Sequence, residues 1–121
     1  MLGRGLLALG AVLLIGAAAL HISGGAEAAT WVRGERGTVV QLLWNIPAVD
    51  WVVVGVVWLL VAWRGSRKVA PIIWLLCLIP FGAAAMIAAT LGPGFVDLWL
   101  LAGAALFAAL GALALPTRAI A

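Results

Sequence analysis

The chain has 121 residues, of which 67% are hydrophobic and only 9% are charged. A soluble domain carries ~25% charged residues, so this composition excludes a water-soluble globular fold, and the mean hydropathy of +1.27 indicates a protein whose solvent is lipid. One cysteine and one histidine are too few for a disulfide framework or a zinc site. The net charge of +3 is better explained as a membrane-topology signal than as a nucleic-acid interface, so we expect no nucleic-acid partner.

The charged residues divide the chain into four apolar segments, each long enough to cross a bilayer once. A hydrocarbon core of ~30 Å needs about 20 helical residues. We therefore predict transmembrane helices over residues 6–22, 46–63, 71–90 and 95–115. Ser23-Gly24-Gly25 is expected to end the first helix and Asn45 to cap the second, which leaves a longer non-cytoplasmic loop over 23–45.

Two segments allow more than one interpretation. Residues 38–45 are apolar and are expected to be re-entrant, to lie in the interface plane, or to extend a long, tilted second helix. Arg4, the following apolar run and Ala26-Glu27-Ala28 are also typical of a cleavable secretory signal. Cleavage within residues 1–28 would leave three helices, which conflicts with the charge pattern, so we favour retention.

Basic residues predict the orientation in the membrane. Five of them fall on one side of the predicted spans, namely Arg4, Arg64, Arg67, Lys68 and Arg118, whereas the other side has two arginines balanced by two glutamates. The positive-inside rule places the basic side in the cytoplasm. The sequence therefore predicts one all-α integral membrane domain over 1–121, an up-and-down bundle in a bacterial cytoplasmic (inner) membrane with both termini cytoplasmic.

Small residues at helical spacing predict where the helices pack. Gly55 and Trp58 share one face of the second helix, and Ala104, Ala108 and Ala112 form a stripe on the fourth. The chain also repeats itself weakly, since the short motifs over 16–20 and 47–51 recur over 82–86 and 93–99. This repetition fits a duplicated two-helix hairpin, although alanine-rich helices also match by chance.

The candidate site is a group of polar residues near the non-cytoplasmic ends of the helices. His21 ends the predicted first helix, while Asp50 and Asp97 lie in the first turns of the second and fourth. This placement allows them to line an outward vestibule that handles a proton or a ligand, beneath a loop that carries Glu27, Arg33, Glu35 and Arg36. The alternative, which we favour at this point, is that each aspartate only stabilises a helix N-terminus. We expect no metal, no cofactor and no catalytic residue.

Three functions remain compatible with this pattern. The first is a non-catalytic membrane protein that acts through helix–helix association, as an accessory subunit of a membrane complex or as a homo-oligomer. The second is a small oligomeric transporter or channel that uses the His/Asp vestibule. The third is a membrane-embedded enzyme that acts on a lipid or quinone with His21 as base. The expected partners are the lipid bilayer and either another membrane protein or a second copy of the chain.

Overall fold

The computed structural model describes residues 1–117, and this range contains helices and no strand. The helices are α1 (Leu2–Thr30), α2 (Glu35–Arg64), α3 (Ala70–Thr90) and α4 (Val96–Leu113), with a short 3₁₀ turn over Arg67–Val69 before α3. All four are long and apolar enough to cross a membrane, which confirms the four predicted spans and indicates an integral membrane protein. Arg118, one of the predicted cytoplasmic charges, lies outside the described residues.

Buried positions alternate at spacings of three and four along every helix. Buried residues that follow this spacing are Gly3, Leu7, Gly10, Leu14 and Ala17 in α1; Ala48, Trp51, Gly55, Trp58 and Ala62 in α2; Ala70, Ile73, Cys77, Pro80 and Ala84 in α3; and Leu98, Leu101, Ala105, Ala108 and Ala112 in α4. This repeat keeps one seam of each helix facing its neighbours. The core therefore consists mainly of small and aliphatic side chains around the indole of Trp58.

The first helix forms the closest contacts, because it packs against both α2 and α4 through residues without bulky side chains. A Cβ at Gly10 would lie 2.8 Å from the Ala104 carbonyl oxygen, and one at Gly111 would lie 2.6 Å from the Leu7 amide nitrogen. On its other side, α1 meets Gly55 of α2, where an added Cβ would lie 2.7 Å from Ile15. Close backbone approach of this kind is how helices gain packing energy in lipid.

The predicted loop over 23–45 is helical except at a short connection over 31–34, so the extended second helix is the alternative that the structure adopts. The glycines taken as a stop signal permit close contact instead. A Cβ at Gly25 would lie 2.9 Å from the Asn45 Oδ1 atom, and one at Gly37 would lie 2.7 Å from the Ala29 carbonyl oxygen. Asn45 and Pro47 consequently lie inside α2 and do not begin it.

The two helix pairs differ in length, so the molecule is asymmetric along the bundle axis. The first two helices have 29 and 30 residues, whereas α3 and α4 have 21 and 18. Because His21 lies beside Asp97 at the start of α4, the residues after His21 continue past the α3–α4 turn. We call residues 22–44 the α1–α2 extension; it rises about 13 Å beyond the level of His21 and Asp97.

Basic side chains gather at the opposite end of the molecule. Arg4 donates hydrogen bonds to the carbonyl oxygens of Ala62, Trp63 and Gly65, which are free because they end α2. The Arg67 amide donates to the Pro116 carbonyl oxygen at 2.7 Å, which joins the turn after α2 to the segment after α4. A guanidinium at a helix C-terminus also interacts favourably with the negative end of the helix dipole.

Replacing Gly10 by alanine should destabilise the protein by about 1–3 kcal/mol, because its Cβ overlaps the backbone of α4 and forces the helices apart. The free energy of unfolding in an SDS titration, followed by circular dichroism, measures this change. Gly16→Ala is the matched control, since a Cβ at Gly16 of the same helix meets nothing within 4 Å. Equal stability of the two variants would contradict the close α1–α4 contact.

Candidate functional site

His21 and Asp97 lie side by side where α1 passes the start of α4. The His21 Nδ1 atom is 3.6 Å from the Asp97 Oδ2 atom, which is within ion-pair range and beyond hydrogen-bond range. Both side chains are mostly buried, with 17% and 19% of their surfaces exposed. Asp97 lies in the first turn of α4, so the positive end of that helix also stabilises its carboxylate.

Two tryptophans of α2 contact the imidazole ring of His21. The Trp44 ring stacks on His21 with centroids 5.0 Å apart and planes inclined by 14°, and Trp51 lies at the same distance at 56°. The Trp44 Nε1 atom also donates a hydrogen bond of 2.8 Å to the His21 carbonyl oxygen. The same indole therefore ties α2 to both the backbone and the side chain of residue 21, and it fixes the imidazole beside Asp97.

An open cleft of about 400 Å³ lies above this pair. Its walls come from α1, the start of α2 and the residues that lead into α4, and they comprise Leu20, His21, Gly24, Glu27, Trp31, Trp44, Phe95, Val96 and Asp97. Trp31 and Trp44 meet in it with perpendicular planes, at 87° and 6.4 Å between centroids. We call this space the outer cleft; it combines carboxylates and aromatic rings, and neither lysine nor arginine is among its wall residues.

Asp50 is separate from this pair. It was expected in the first turn of its helix, but α2 begins at Glu35, so Asp50 lies near the middle and the proposed stabilisation of a helix N-terminus does not apply to it. Its side chain is exposed, and no ion pair within residues 1–117 includes it. A second cavity of about 260 Å³, between His21, Pro47, Trp51 and residues of α3, does not include it either.

The remaining predicted residues divide into two groups. Glu27 belongs to the outer cleft, whereas Arg33, Glu35 and Arg36 are exposed around the turn between α1 and α2. The predicted packing residues Gly55, Trp58, Ala104, Ala108 and Ala112 are all buried. Within the described part of the chain, no three potential metal ligands come together.

Comparison with the models of known protein families, with curated proteins and with solved structures gives no match. The chemistry of the site therefore rests on the geometry described above.

Sequence reasoning missed the aromatic half of the site. Trp31 and Trp44 were not among the predicted site residues, and Phe95 only began the predicted fourth helix. The available signal was the presence of two tryptophans in the same predicted loop as Glu27. That signal becomes readable only when residues 23–45 are treated as helix, because α2 then brings Trp44 to the level of His21.

Replacing Trp44 by phenylalanine should loosen the α1–α2 extension, because the hydrogen bond to the His21 carbonyl oxygen is lost. The substitution keeps an aromatic ring at this position. Such a bond contributes about 0.5–1.5 kcal/mol, so amide hydrogen exchange in residues 22–30 should accelerate up to about tenfold. Mass spectrometry of the exchanged peptides measures this rate. Trp63→Phe is the control, since that exposed indole makes no hydrogen bond in the described structure, and equal exchange in both variants would contradict the assignment.

Proposed function

We propose that the protein is a small multi-pass membrane protein that acts through helix–helix association, as a non-catalytic accessory subunit of a membrane complex. The surface that makes the contact is the outward face of α2 around Asp50. The observation that carries this proposal is the position of that one carboxylate, which lies on an apolar, exposed face of α2 in the outer part of the membrane-spanning region and is directed away from its own bundle.

The surroundings of Asp50 offer nothing to compensate its charge. Its neighbours on the exposed face of α2 are Ile46, Val49 and Val53, all of them apolar and more than half exposed. About 21 Å of helix separate Asp50 from Arg64, which ends α2, so the carboxylate falls within a hydrocarbon core of ~30 Å. Its backbone neighbour Trp51 touches His21, which puts Asp50 near the depth of the His21–Asp97 pair.

An ionised carboxylate at such a site costs about 2.5–3.5 kcal/mol if it faces lipid at the bilayer centre, and less nearer the interface. Carboxylates within spans nearly always face a protein interior or pair with another polar group. A partner helix that presents a hydrogen-bond donor or a cation to Asp50 would remove most of this cost. The penalty is thus converted into a specific driving force for association.

The charge distribution favours a different polypeptide over a second copy of this chain. In copies that lie side by side with the same orientation, residues of equal depth meet, and a two-fold α2–α2 contact brings the two Asp50 side chains together. Arg4, Arg64, Arg67 and Lys68 lie at the other end of the bundle, and Arg36 lies about 21 Å along α2 from Asp50. The donor is therefore assigned to a partner protein.

We further propose an up-and-down arrangement in a bacterial cytoplasmic membrane, with both termini in the cytoplasm and the α1–α2 extension outside. Two contacts support the helix order: Gly3 meets Ala114 at one end of the bundle, and His21 meets Asp97 at the other. The gathering of Arg4, Arg64, Arg67 and Lys68 near the end marked by Gly3 supports the orientation, because basic residues favour the cytoplasmic side.

Transport is the second candidate, and one observation favours it. His21 forms part of the wall of both the outer cleft and the cavity beside α3, so a polar group connects two spaces that lie at different positions around the bundle. Below them the core is filled by Leu7, Leu14, Trp58, Ile73 and Leu101, whose side chains are fully buried. A path through a single chain would have to displace these residues, so transport fits an assembly better than one bundle.

Replacing Asp50 by valine should abolish stoichiometric association with the partner, because the donor on the partner is then left without an acceptor in the membrane. Purification of the tagged chain in mild detergent, followed by native mass spectrometry, measures the composition of the complex. Asp97→Asn is the matched control, since it removes a carboxylate of similar depth that faces the bundle interior, and we expect it to keep the complex.

A monomer from both the native chain and the Asp50→Val variant would contradict association altogether. A homo-oligomer that survives the substitution would contradict the role of Asp50. A homo-oligomer that dissociates on substitution would keep the role of Asp50 but contradict a different polypeptide as the partner, since the partner would then be a second copy of the chain.

Cysteine labelling tests the orientation. In a Cys77→Ala background, Glu35→Cys should react with a membrane-impermeant maleimide on intact bacterial cells, because residue 35 is exposed at the outer turn. Lys68→Cys should react only after the cells are permeabilised, since the turn after α2 is assigned to the cytoplasm. The reverse pattern would contradict the proposed orientation.

A further inference from the structure

We propose that the outer cleft binds an organic ammonium group, either that of a soluble amine or that of a lipid headgroup. This site is independent of the association surface, because Asp50 is not among its walls. The juxtaposition that carries the inference is a pair of perpendicular indoles and two carboxylates around one open space, at the level where the short helices end.

The charge of the cleft selects a cation. Glu27 and Asp97 supply two carboxylates, and no lysine or arginine is among the wall residues. His21 lies 3.6 Å from Asp97, and its ring is stacked on Trp44 and tilted at 56° to Trp51. A cation that enters the cleft therefore meets the Asp97 carboxylate, with which no lysine or arginine within residues 1–117 forms an ion pair.

The aromatic walls select an organic cation over a metal ion. Trp31 and Trp44 meet edge to face at 87°, and Phe95 lies in the same wall, so three aromatic rings border the cleft while one face of Trp44 is covered by His21. Indole faces attract ammonium groups by about 0.5–2 kcal/mol each when the cation is partly desolvated. A small metal ion would require several oxygen ligands in contact with it, whereas a substituted ammonium group exploits the rings and needs only the field of the carboxylates.

The location explains why both sources of ammonium are considered. The cleft opens where the α1–α2 extension rises past the start of α4, so its floor lies at the end of the transmembrane helices and its upper wall lies beyond them. A headgroup amine reaches this level from the lipid side, and a soluble amine reaches it from the aqueous side. The cleft volume of about 400 Å³ falls within the range of small-ligand pockets, ~300–1,000 Å³.

Isothermal titration calorimetry of the full-length protein in a non-ionic detergent, with choline as the probe, tests the soluble source. Native mass spectrometry of protein released from nanodiscs that contain equal amounts of phosphatidylethanolamine and phosphatidylglycerol tests the lipid source. Asp97→Asn and Glu27→Gln should each weaken choline binding, or lower retention of the amine lipid, by about tenfold. Trp44→Leu should weaken it about threefold or more, since it removes an aromatic wall.

Glu35→Gln is the matched control, because it removes an exposed carboxylate of the outer turn that is not among the cleft walls and should leave binding unchanged. Saturable choline binding that depends on Asp97 and Glu27 establishes a soluble amine, and selective retention of phosphatidylethanolamine with the same dependence establishes a lipid headgroup. The proposal is overturned if neither probe binds, or if binding persists unchanged in both carboxylate variants. Circular dichroism of each variant verifies that the helices remain folded.

Discussion

The position of α1 between α2 and α4 is the constraint on which the rest of the structure depends. A lipid solvent offers no hydrophobic drive for helices to associate, so α1 must gain its contacts from close packing. Gly10 on one side and Gly55 across the other contact let the backbones approach to distances that any side chain would prevent. Only at that separation does His21 come within reach of Asp97 on α4 and of Trp44 and Trp51 on α2 at the same time.

The polar residues fall into two environments with different consequences. Asp97 is mostly buried and shares its surroundings with an imidazole, indoles and the carboxylate of Glu27, which is the basis of the proposed ammonium site. Asp50 has a similar depth but an apolar, outward setting, which is the basis of the proposed association. The two proposals are separate because the helix face on which each aspartate lies decides what it meets.

Hydropathy and charge were enough to predict four membrane-spanning helices, because lipid imposes a length and an apolar composition that few other segments satisfy. The prediction was wrong about where the first helix ends, since Ser23, Gly24 and Gly25 resemble a helix stop but lie within α1, whereas the extended second helix was among the alternatives for 38–45. The sequence does not distinguish a glycine that breaks a helix from one that permits a neighbour's approach, since the difference lies in Asn45 and Trp44 across the contact. The outer cleft was missed for the same reason, because its walls include residues of the predicted loop. The hydrogen bonds of Arg4 to the end of α2 could not be predicted either, since the sequence does not show which helix end Arg4 reaches.

The short fourth helix has a consequence for the kind of membrane that suits this protein. Its 18 residues span about 27 Å, and Asp97 and the residues after Leu113 leave little scope for lengthening the apolar stretch at either end. The longer α1 and α2 can slide or tilt within a thicker bilayer, but α4 cannot, and it is bound to α1 along most of its length. Hydrophobic mismatch costs fractions of a kcal/mol per ångström. We therefore expect a thicker bilayer to strain α4 first, at the His21–Asp97 end of the bundle.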